Sequence, residues 1–408
     1  MREKLVLVVP SFPKLSETFI VSKFRGVLDC GWDAHIVCQS SHGQEWARFP
    51  ELCQNYGLRR RVHLASPTTS AWRAMMSVPL SVLRFFKNPR AVGRYLGLGR
   101  RAGGWAALKN AYLDSAIAAL RPAIVHFEYG PLAVGRTHLK RCLGAKLTCS
   151  FRGHDLNFVA RDVPGFYNAV WRDADGVHLL GTDLWRTAQQ RGCPADKKRV
   201  LIPPAIDTSY FCPGYSAEDA GVGHGDQAFR ILSVGRLHWA KGYEYNLEAI
   251  ARLRNLGVSC SYRIAGGGDQ LEALAFITAQ LGLERCVEFL GALGPAQVRE
   301  QLARADVLLH GAVSEGFCNA VIEAQSMEVP VVCSDAGGLP ENIKDGESGY
   351  VVPRRHPEST AWKLKTLADD PLLRRRMGQA GREHVLQHFQ LDRQIEAFDN
   401  FYRDILDN

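Results

Sequence analysis

The hydrophobic positions of this chain fall into short apolar runs separated by amphipathic stretches. The first series of runs, each of which predicts a buried strand, comprises Leu5–Pro10, Ala34–Cys38, Ala123–Phe127, Lys146–Ser150, Gly176–Leu180 and Val200–Ile202. The stretches between them carry apolar residues at helical spacing, and the first of these has a candidate N-cap at Ser16. Buried strands that alternate with helices are typical of a parallel, doubly wound α/β sheet.

The same alternation restarts in the second half of the chain. Its predicted strands are Arg230–Val234, Ser261–Ala265, Val287–Leu290, Val307–His310 and Val329–Cys333. The stretch 203–225 between the two series is rich in Pro and Gly, which favours a domain boundary there. We expect two Rossmann-like domains, 1–205 and 206–385, and a C-terminal helix, 386–408, that is a candidate to return to the first domain. Sheets of this class bind ligands beyond the carboxyl ends of their strands, so we expect the two domains to face each other across a cleft.

Charge is distributed unevenly along the 408 residues, although the net charge is only +8. Residues 1–200 carry 30 basic and 14 acidic side chains, and the remainder carries 20 and 28. Between Leu52 and Tyr112 there are 11 basic residues and no acidic one. A field of one sign attracts phosphate groups. We expect no nucleic acid partner, because no nucleic-acid-binding motif accompanies the charge.

The basic segment 58–109 interleaves its cations with aromatic and aliphatic residues such as Trp72, Met75 and Met76. This composition suits an anionic bilayer surface or a lipid-diphosphate acceptor. A pair of helices that packs on the first domain and leaves a solvated basic edge explains it equally well, and the sequence leaves both interpretations open. Pro79 and Pro89 are expected to interrupt any single long helix.

The cysteines and the apolar runs indicate where the protein acts. Eleven cysteines are scattered without a CxxC pair, which favours reduced, mostly buried thiols over disulfides or a zinc site. No apolar run approaches the roughly 18–20 residues that a bilayer-spanning helix needs. The N-terminus is predicted to be a strand and not a signal peptide. We therefore expect a cytoplasmic protein. Peripheral attachment to the inner face of the plasma membrane is compatible with that expectation.

One segment combines a predicted strand, a loop and the start of a helix. Glu315 lies in its loop, the helix opens near Asn319, and Glu323 follows about one turn inside. The free N–H groups and the dipole of a helix start form an anion site that suits a diphosphate. Both carboxylates can accept hydrogen bonds from the hydroxyls of one ligand over that start. Taken alone, the spacing of Glu315 and Glu323 is more often found where one glutamate lies in a solvated loop and the other on an ordinary surface helix.

Two glycine-rich loops supply further candidates. Arg236 and Lys241 lie in the loop from Gly235 to Gly242, where an Arg fork and a Lys point charge suit a diphosphate leaving group. The run 266–268 consists of three glycines, which let backbone approach a ligand closely. Each loop by itself is also explained by ordinary surface cations or by a simple turn.

Together these motifs resemble glycosyltransferase family 4, whose members are retaining enzymes of the two-domain GT-B fold. The resemblance runs over most of the chain and is strongest from Arg230 to Pro353, where it includes VVCSDAGGLPEN at 331–342. In the first domain, Arg152-Gly153-His154-Asp155 matches the family's histidine loop. Ser11-Phe12-Pro13 and Ser16-Glu17-Thr18-Phe19 are similar to the colanic-acid-type transferases that build bacterial exopolysaccharides.

The resemblance implies a role for each matching residue. Arg236 and Lys241 would hold the diphosphate and offset its charge as it leaves. Glu323 would bind the ribose hydroxyls, and Glu315 the 3- and 4-hydroxyls of the donor sugar. His154 would contact the sugar near its O6. Further donor contacts are implied for Gly235, Gly267, Leu293, Phe317, Cys318, Asn319 and Ala320.

The implied reaction transfers a hexose from a UDP- or GDP-sugar to a glycan or a lipid-linked glycan in polysaccharide biosynthesis. The acceptor attacks the front face of the sugar, and the departing phosphate takes its proton, so the anomeric configuration is retained. No metal or cofactor is implied, because the nucleotide sugar is a substrate. This sequence departs from the family's usual pattern at Pro204-Ala205, which replace an Asn-Gly turn, and at Cys318, where the residue is commonly small.

Some candidates stay open between two interpretations. Ser16, Glu17, His126 and Glu128 are candidates for acceptor or first-domain loop contacts, and for His126 a packed position at a strand end is an equal alternative. The triplet 173–175, Asp-Ala-Asp, spells a metal-binding motif of the other transferase fold, although a structural role is far more frequent for it at this place in the chain.

Two other functions are compatible with the architecture. One is a protein that binds nucleotide sugars and has lost turnover, which the intact motifs do not suggest. The other is a sugar-nucleotide 2-epimerase, which would need its own carboxylate acid and base, and the sequence offers no candidate pair for these.

Overall fold

The computed structural model describes residues 2–14, 17–47, 57–66, 71–102, 104–214 and 228–407. They form two compact units. The first comprises the chain up to Ile202 together with the chain from Ile395 onward, and the second comprises Pro203–Gln394. The C-terminal helix therefore returns to the first unit. The sequence had placed the corresponding transitions after residues 205 and 385.

The first unit is built on a parallel sheet of seven strands in the order β3-β2-β1-β4-β5-β6-β7. Its strands are β1 (Lys4–Ser11), β2 (Asp33–Ser40), β3 (Val62–Leu64), β4 (Ile124–Phe127), β5 (Lys146–Phe151), β6 (Gly176–Leu179) and β7 (Arg199–Leu201). Its helices are α1 (Thr18–Asp29), α2 (Gly43–Trp46), α3 (Ala71–Phe86), α4 (Pro89–Ala102), α5 (Gly104–Leu120), α6 (Gly130–Ala133), α7 (Gly153–Asn157), α8 (Asn168–Asp173) and α9 (Thr182–Gln190). The strand order reverses between β1 and β4, which makes their carboxyl ends the expected binding edge.

The second unit repeats the plan with six parallel strands in the order β10-β9-β8-β11-β12-β13. They are β8 (Phe229–Val234), β9 (Cys260–Ala265), β10 (Val287–Gly291), β11 (Val307–His310), β12 (Val331–Ser334) and β13 (Gly349–Val352). Its helices are α10 (Tyr243–Asn255), α11 (Leu271–Gln280), α12 (Pro295–Ala303), α13 (Asn319–Ser326), α14 (Pro357–Asp369) and α15 (Pro371–His388). The order reverses between β8 and β11, so the loops after these two strands meet at the switch point.

Apolar side chains cover both faces of each sheet. In the second unit, Leu308 packs in one core cluster, and its neighbours Val307 and Leu309 pack in another. This alternation places successive residues of β11 on opposite faces, as expected for a central parallel strand. In the first unit, the last helix, α16 (Leu391–Asp407), adds Phe398 and Tyr402 to the core.

Several details differ from the sequence-based expectations. Pro79 lies inside α3 and does not interrupt it, because the helix is exposed there and water can satisfy the carbonyl that loses its partner. Pro89 behaves as expected and begins α4. The ten cysteines that the structure describes are free thiols, and Cys53 lies outside the described residues. None of the helices in the described ranges is both long and apolar enough to cross a membrane.

Candidate functional site

The loops after β8 and β11 are joined by backbone contacts at the switch point of the second sheet. The amides of Val313 and Ser314 donate to the carbonyl of Ala240 at 2.9 and 3.2 Å. Gly242 has a positive φ of 62°, and a Cβ there would lie 2.3 Å from the carbonyl oxygen of Gly311. A glycine is therefore required where the two loops touch. This packing brings the predicted cations of one loop to the predicted carboxylate of the other.

Lys241 and Glu315 form an ion pair between these loops. The side chains are 23% and 14% exposed, so the pair is partly open to solvent. His310, the last residue of β11, adds a hydrogen bond from Nε2 to the Oε2 of Glu315 at 3.2 Å. The backbone carbonyl of Glu315 also accepts from the amide of Gly338 at 3.1 Å. The carboxylate that was predicted to hold the donor sugar is thus fixed by two basic groups and by its own backbone.

The pKa values of the cluster follow from these contacts. Burial acts to raise the pKa of Glu315, but Lys241 and His310 outweigh it and lower the pKa to about 2. Burial acts to lower the pKa of His310, but Cys318 and Glu315 outweigh it and raise the pKa to about 9. For Lys241, burial is likewise outweighed by Glu315, and its pKa lies above the ordinary value. At neutral pH the cluster holds one carboxylate and two cations.

Glu323 lies on α13, whose first turn starts beside this cluster at Asn319. Its carboxylate has no polar partner among the described residues, and burial raises its pKa from 4.5 to about 7. The first amides of a helix lack intrahelical acceptors and can bind an anion. The amide of Cys318, the N-cap, is already taken by the Oδ1 of Asn342 at 2.9 Å. The Cys318 amide therefore cannot bind the nucleotide sugar, although the sequence had implied that it would. The amides of Asn319 and Ala320 lie in the first turn of the helix, where they have no intrahelical acceptor.

The triple glycine 266–268 serves mainly to pack two loops together. A Cβ on Gly266 would lie 1.8 Å from the carbonyl oxygen of Gly235, and one on Gly268 would lie 2.1 Å from that of Leu237. Gly267 differs, since its nearest neighbour would be the Cβ of Ala292 at 3.5 Å. Gly266 and Gly268 therefore let the backbone approach the loop from Gly235 to Gly242 and not a ligand. Gly267 keeps room for a ligand.

The remaining predicted donor residues are distributed around the same edge of the second sheet. The side chain of Arg236 is exposed in the loop after β8. Phe317 packs edge-on against Phe389 with ring centroids 5.5 Å apart, which leaves its backbone as the part available to a ligand. Leu293 is partly buried against the core in the loop after β10.

The histidine loop of the first unit is shaped by Arg152 and Asp155. Arg152 is the N-cap of α7, and Asp155 accepts from the amides of Arg152 and Gly130 at 3.0 and 3.2 Å. His154 is exposed on this short helix, with its ring 5.9 Å from that of Phe158. The base of the loop is therefore held by hydrogen bonds, and His154 is presented to solvent.

His126 and Glu128 correct an expectation, because both side chains are fully buried. Glu128 forms ion pairs with Lys23 at 2.7 Å and with Arg152 at 3.2 Å. His126 contacts Lys23 at 3.0 Å and Ser150 at 2.8 Å. They hold the histidine loop and the strand ends together and do not present a face to an acceptor. This is the packed alternative that the sequence had left open for His126.

The other first-unit candidates have local roles. Glu17 is the N-cap residue of α1 and pairs with Lys14 at 2.6 Å. Ser16 lies outside the described residues. In the Asp-Ala-Asp triplet, Asp173 accepts from Arg172 and Thr137, and Asp175 accepts from the amide of Leu147. Protein donors therefore occupy both aspartates, which supports the structural interpretation.

Sequence reasoning missed His310, Asn342 and Lys23. His310 lies in an apolar pattern that predicts a buried strand, and Lys23 lies in one that predicts the buried face of a helix. The only signal in the sequence was a basic residue at a position that is otherwise apolar. His310, Glu315 and Cys318 place one ligand atom each within 4.8 Å of one another, a spacing that a cation could use. Within this cluster the Glu315 carboxylate is already paired with Lys241.

The sequence is similar to those of known glycosyltransferases. Residues 216–384 match the family model for glycosyl transferases group 1. The chain is 27% identical to WcaL of Escherichia coli (strain K12), named as a colanic acid biosynthesis glycosyltransferase, over 86% of this chain and 87% of that one. It is 28% identical to the amylovoran biosynthesis glycosyltransferase AmsK of Erwinia amylovora over 90% of each chain. The resemblance to colanic-acid-type transferases is therefore confirmed.

Solved structures show the same fold. The sucrose-phosphate synthase of Thermosynechococcus elongatus matches with a TM-score of 0.75 at 16% identity over 99% of each chain. Anabaena HepE, solved in complex with UDP and glucose, matches with a TM-score of 0.74 at 16% identity over 99% of this chain and 100% of that one. This chain has the GT-B fold, and its match to the group 1 glycosyl transferase model lies in the second unit.

Proposed function

We propose that this protein is a retaining glycosyltransferase that moves a hexose from a UDP- or GDP-sugar to a glycan or lipid-linked glycan during exopolysaccharide synthesis. The observation that carries the proposal is the Lys241–Glu315 pair beside the start of α13, at the switch point between β8 and β11. It combines a cation for a leaving diphosphate with a carboxylate for sugar hydroxyls. Relatives named for colanic acid and amylovoran synthesis support the acceptor class.

The role proposed for each residue is the one that the family resemblance implies, and the charge of each residue suits it. Lys241 and Arg236 neutralise the diphosphate as it departs, which is the main electrostatic task in such a transfer. Glu315, ionised at any ordinary pH, accepts hydrogen bonds from the sugar hydroxyls. Glu323 accepts from the ribose, and the first amides of α13 face the phosphates.

The proposed reaction needs neither a metal nor a dedicated carboxylate nucleophile. The hydroxyl oxygen of the acceptor forms the new bond to the anomeric carbon as the bond to the diphosphate oxygen breaks. The hydroxyl proton passes to that departing phosphate, so atoms and charge balance without a protein base. The protein positions the two substrates and stabilises charge. A chelator should therefore leave the rate unchanged.

Two measurements test the proposal. Thermal-shift screening against UDP-, GDP- and ADP-sugars identifies the donor, since a ligand at 100 times its Kd stabilises by about 2.7 kcal/mol. Initial rates of donor consumption then compare Lys241→Ala with Arg375→Ala, which removes an exposed cation of α15 in the same unit. We expect a loss of at least about 10²-fold for Lys241→Ala and none for Arg375→Ala.

The outcomes separate this proposal from a binding protein. Near-normal rates in both Lys241→Ala and Glu323→Ala would refute the assigned roles. Binding of a nucleotide sugar without release of nucleoside diphosphate in the presence of any acceptor would instead identify a protein that has lost turnover.

A further inference from the structure

Helix α3 of the first unit is amphipathic with its apolar face turned outward. Its largest apolar side chains are exposed, with Trp72, Met76 and Leu83 at 65, 62 and 63%. At 100° per residue these positions fall within one narrow stripe, and Met75 and Leu80 flank it. A helix on the surface of a globular protein normally shows the opposite pattern. The exposed stripe is therefore unpartnered in the described part of the chain.

The inner face of the same helix is small and polar. Ser81 is buried and hydrogen-bonds Ser66 at 3.0 Å, and Ser66 in turn contacts Ser115 of α5 at 3.1 Å. Ser77 donates to its own helix at the carbonyl of Ala74 and bonds the hydroxyl of Tyr112. These bonds fix the rotation of α3 about its axis. Turning the helix to bury its apolar stripe would break them and leave polar groups without partners.

Exposed basic side chains lie on α3 itself and on the segment that directly follows it. The side chains of Arg73 on α3, Lys87 in the turn that follows, and Arg90 and Arg94 on α4 are all exposed. The sequence from Leu52 to Tyr112 supplies no acidic residue to balance them. An exposed apolar stripe in a segment whose only charges are positive complements a surface that is apolar beneath and anionic on top.

We propose that the outer face of α3 docks on an anionic lipid bilayer. Trp72, Met76 and Leu83 enter the boundary between headgroups and acyl chains, and Arg73, Lys87 and Arg90 contact the lipid phosphates. The inference does not depend on glycosyl transfer, because it uses only the surface of the first unit. Of the two interpretations of the basic segment, the proposal adopts the lipid surface and not the solvated edge.

Co-sedimentation of the full chain with lipid vesicles tests this docking. Vesicles of phosphatidylglycerol and phosphatidylcholine in equal parts should bind the protein, and vesicles of phosphatidylcholine alone should bind it at least tenfold more weakly. The triple variant W72S/M76S/L83S should lose at least tenfold in affinity for the anionic vesicles. The matched control is F276S/L372S, which removes two similarly exposed apolar residues, at 65 and 74%, from the second unit. It should bind as the wild type does.

Two further arms separate insertion from simple charge attraction. Each basic residue near an anionic surface changes binding by about fivefold, so R73Q/K87Q/R90Q should lose about a hundredfold. Brominated phospholipid should quench part of the tryptophan emission of the wild type, and W72F should lack that part. Melting temperatures of all variants, measured without vesicles, show that each remains folded.

Three results would overturn the proposal. The first is unchanged vesicle affinity of the apolar triple variant. The second is failure of the wild-type chain to bind anionic vesicles at low ionic strength. The third is a concentration-dependent dimer that W72S/M76S/L83S abolishes, because a second copy of the chain would then cover the stripe. None of these results bears on donor turnover, so they leave the proposed function to its own test.

Discussion

Replacing Glu323 by glutamine should stabilise the second unit at alkaline pH and at the same time weaken donor binding. The carboxylate lies at the start of α13 without a polar partner in the described residues, and burial raises its pKa from 4.5 to about 7. A functional carboxylate held in this way destabilises the unliganded fold, and the donor hydroxyls would compensate on binding. Glutamine keeps the shape and removes the charge.

The sign and the size of the effect follow from proton linkage. Below pH 4.5 the carboxyl is protonated in both the folded and the unfolded chain, so it contributes no difference. The folded state holds the proton up to about pH 7, so the destabilisation grows as the pH rises through that window and is complete above it. A pKa rise from 4.5 to about 7 corresponds to about 3 kcal/mol of destabilisation of the folded unit. Because part of the side chain is open to solvent, we expect about half of that.

Thermal unfolding at pH 5 and pH 8 measures the effect. For a unit of this size, about 1.5 kcal/mol raises Tm by about 3 to 6 °C. Glu323→Gln should show that rise at pH 8 and a small one at pH 5. Glu347→Gln removes an exposed carboxylate of the same unit and should change Tm at neither pH. Destabilisation of Glu323→Gln at pH 8, or equal shifts at both pH values, would refute the reasoning.

Three other substitutions test separate parts of the structure. His310→Ala removes one of the two basic contacts of Glu315 and should lower kcat/KM about tenfold in steady-state kinetics, whereas an unchanged value would show that the contact is dispensable. Gly268→Ala places a Cβ 2.1 Å from a neighbouring carbonyl oxygen and should destabilise by more than about 3 kcal/mol in urea unfolding, while Gly267→Ala, with 3.5 Å of room, should be nearly neutral. Glu128→Gln leaves a buried lysine without its counter-charge and should cost about 3–5 kcal/mol; a normal Tm would mean that the buried pair contributes nothing.

The parallel strands could be predicted closely from the sequence. The ends predicted for β11, Val307 and His310, are those observed, because a central parallel strand is a continuous apolar run bounded by polar residues. The short β3 was missed, since three residues in a basic segment show no periodicity. β13 was not predicted either. Edge strands bury less and carry a weaker pattern.

The site could be predicted in its residue types but not in its contacts. Glu315 and Lys241 were expected at one ligand, and the structure pairs them directly across two loops. The amide of Cys318 was expected to face the donor, but Asn342, 24 residues further along the chain, already accepts its hydrogen bond. Partners that are distant in sequence and chosen by packing leave no local signal. The same holds for Lys23 on α1, which pairs with Glu128 in the loop after β4.

The outward face of α3 shows a similar limit. Its apolar residues have ordinary helical spacing, so the sequence was compatible with burial as well as exposure. The buried serine contacts at Ser66 and Ser81 decide between them, because they fix which side of the helix faces the protein. Small polar residues that anchor a helix are not recognisable from periodicity alone.

The stereochemistry of the transferred sugar tests the central claim most directly. Once the donor is known, NMR of the product formed by purified protein reports the anomeric configuration at the new glycosidic bond. We predict that the product keeps the configuration of the nucleotide sugar and forms in the presence of a chelator. An inverted product, or a nucleotide sugar that binds at the Lys241–Glu315 pair and is never cleaved, would contradict it.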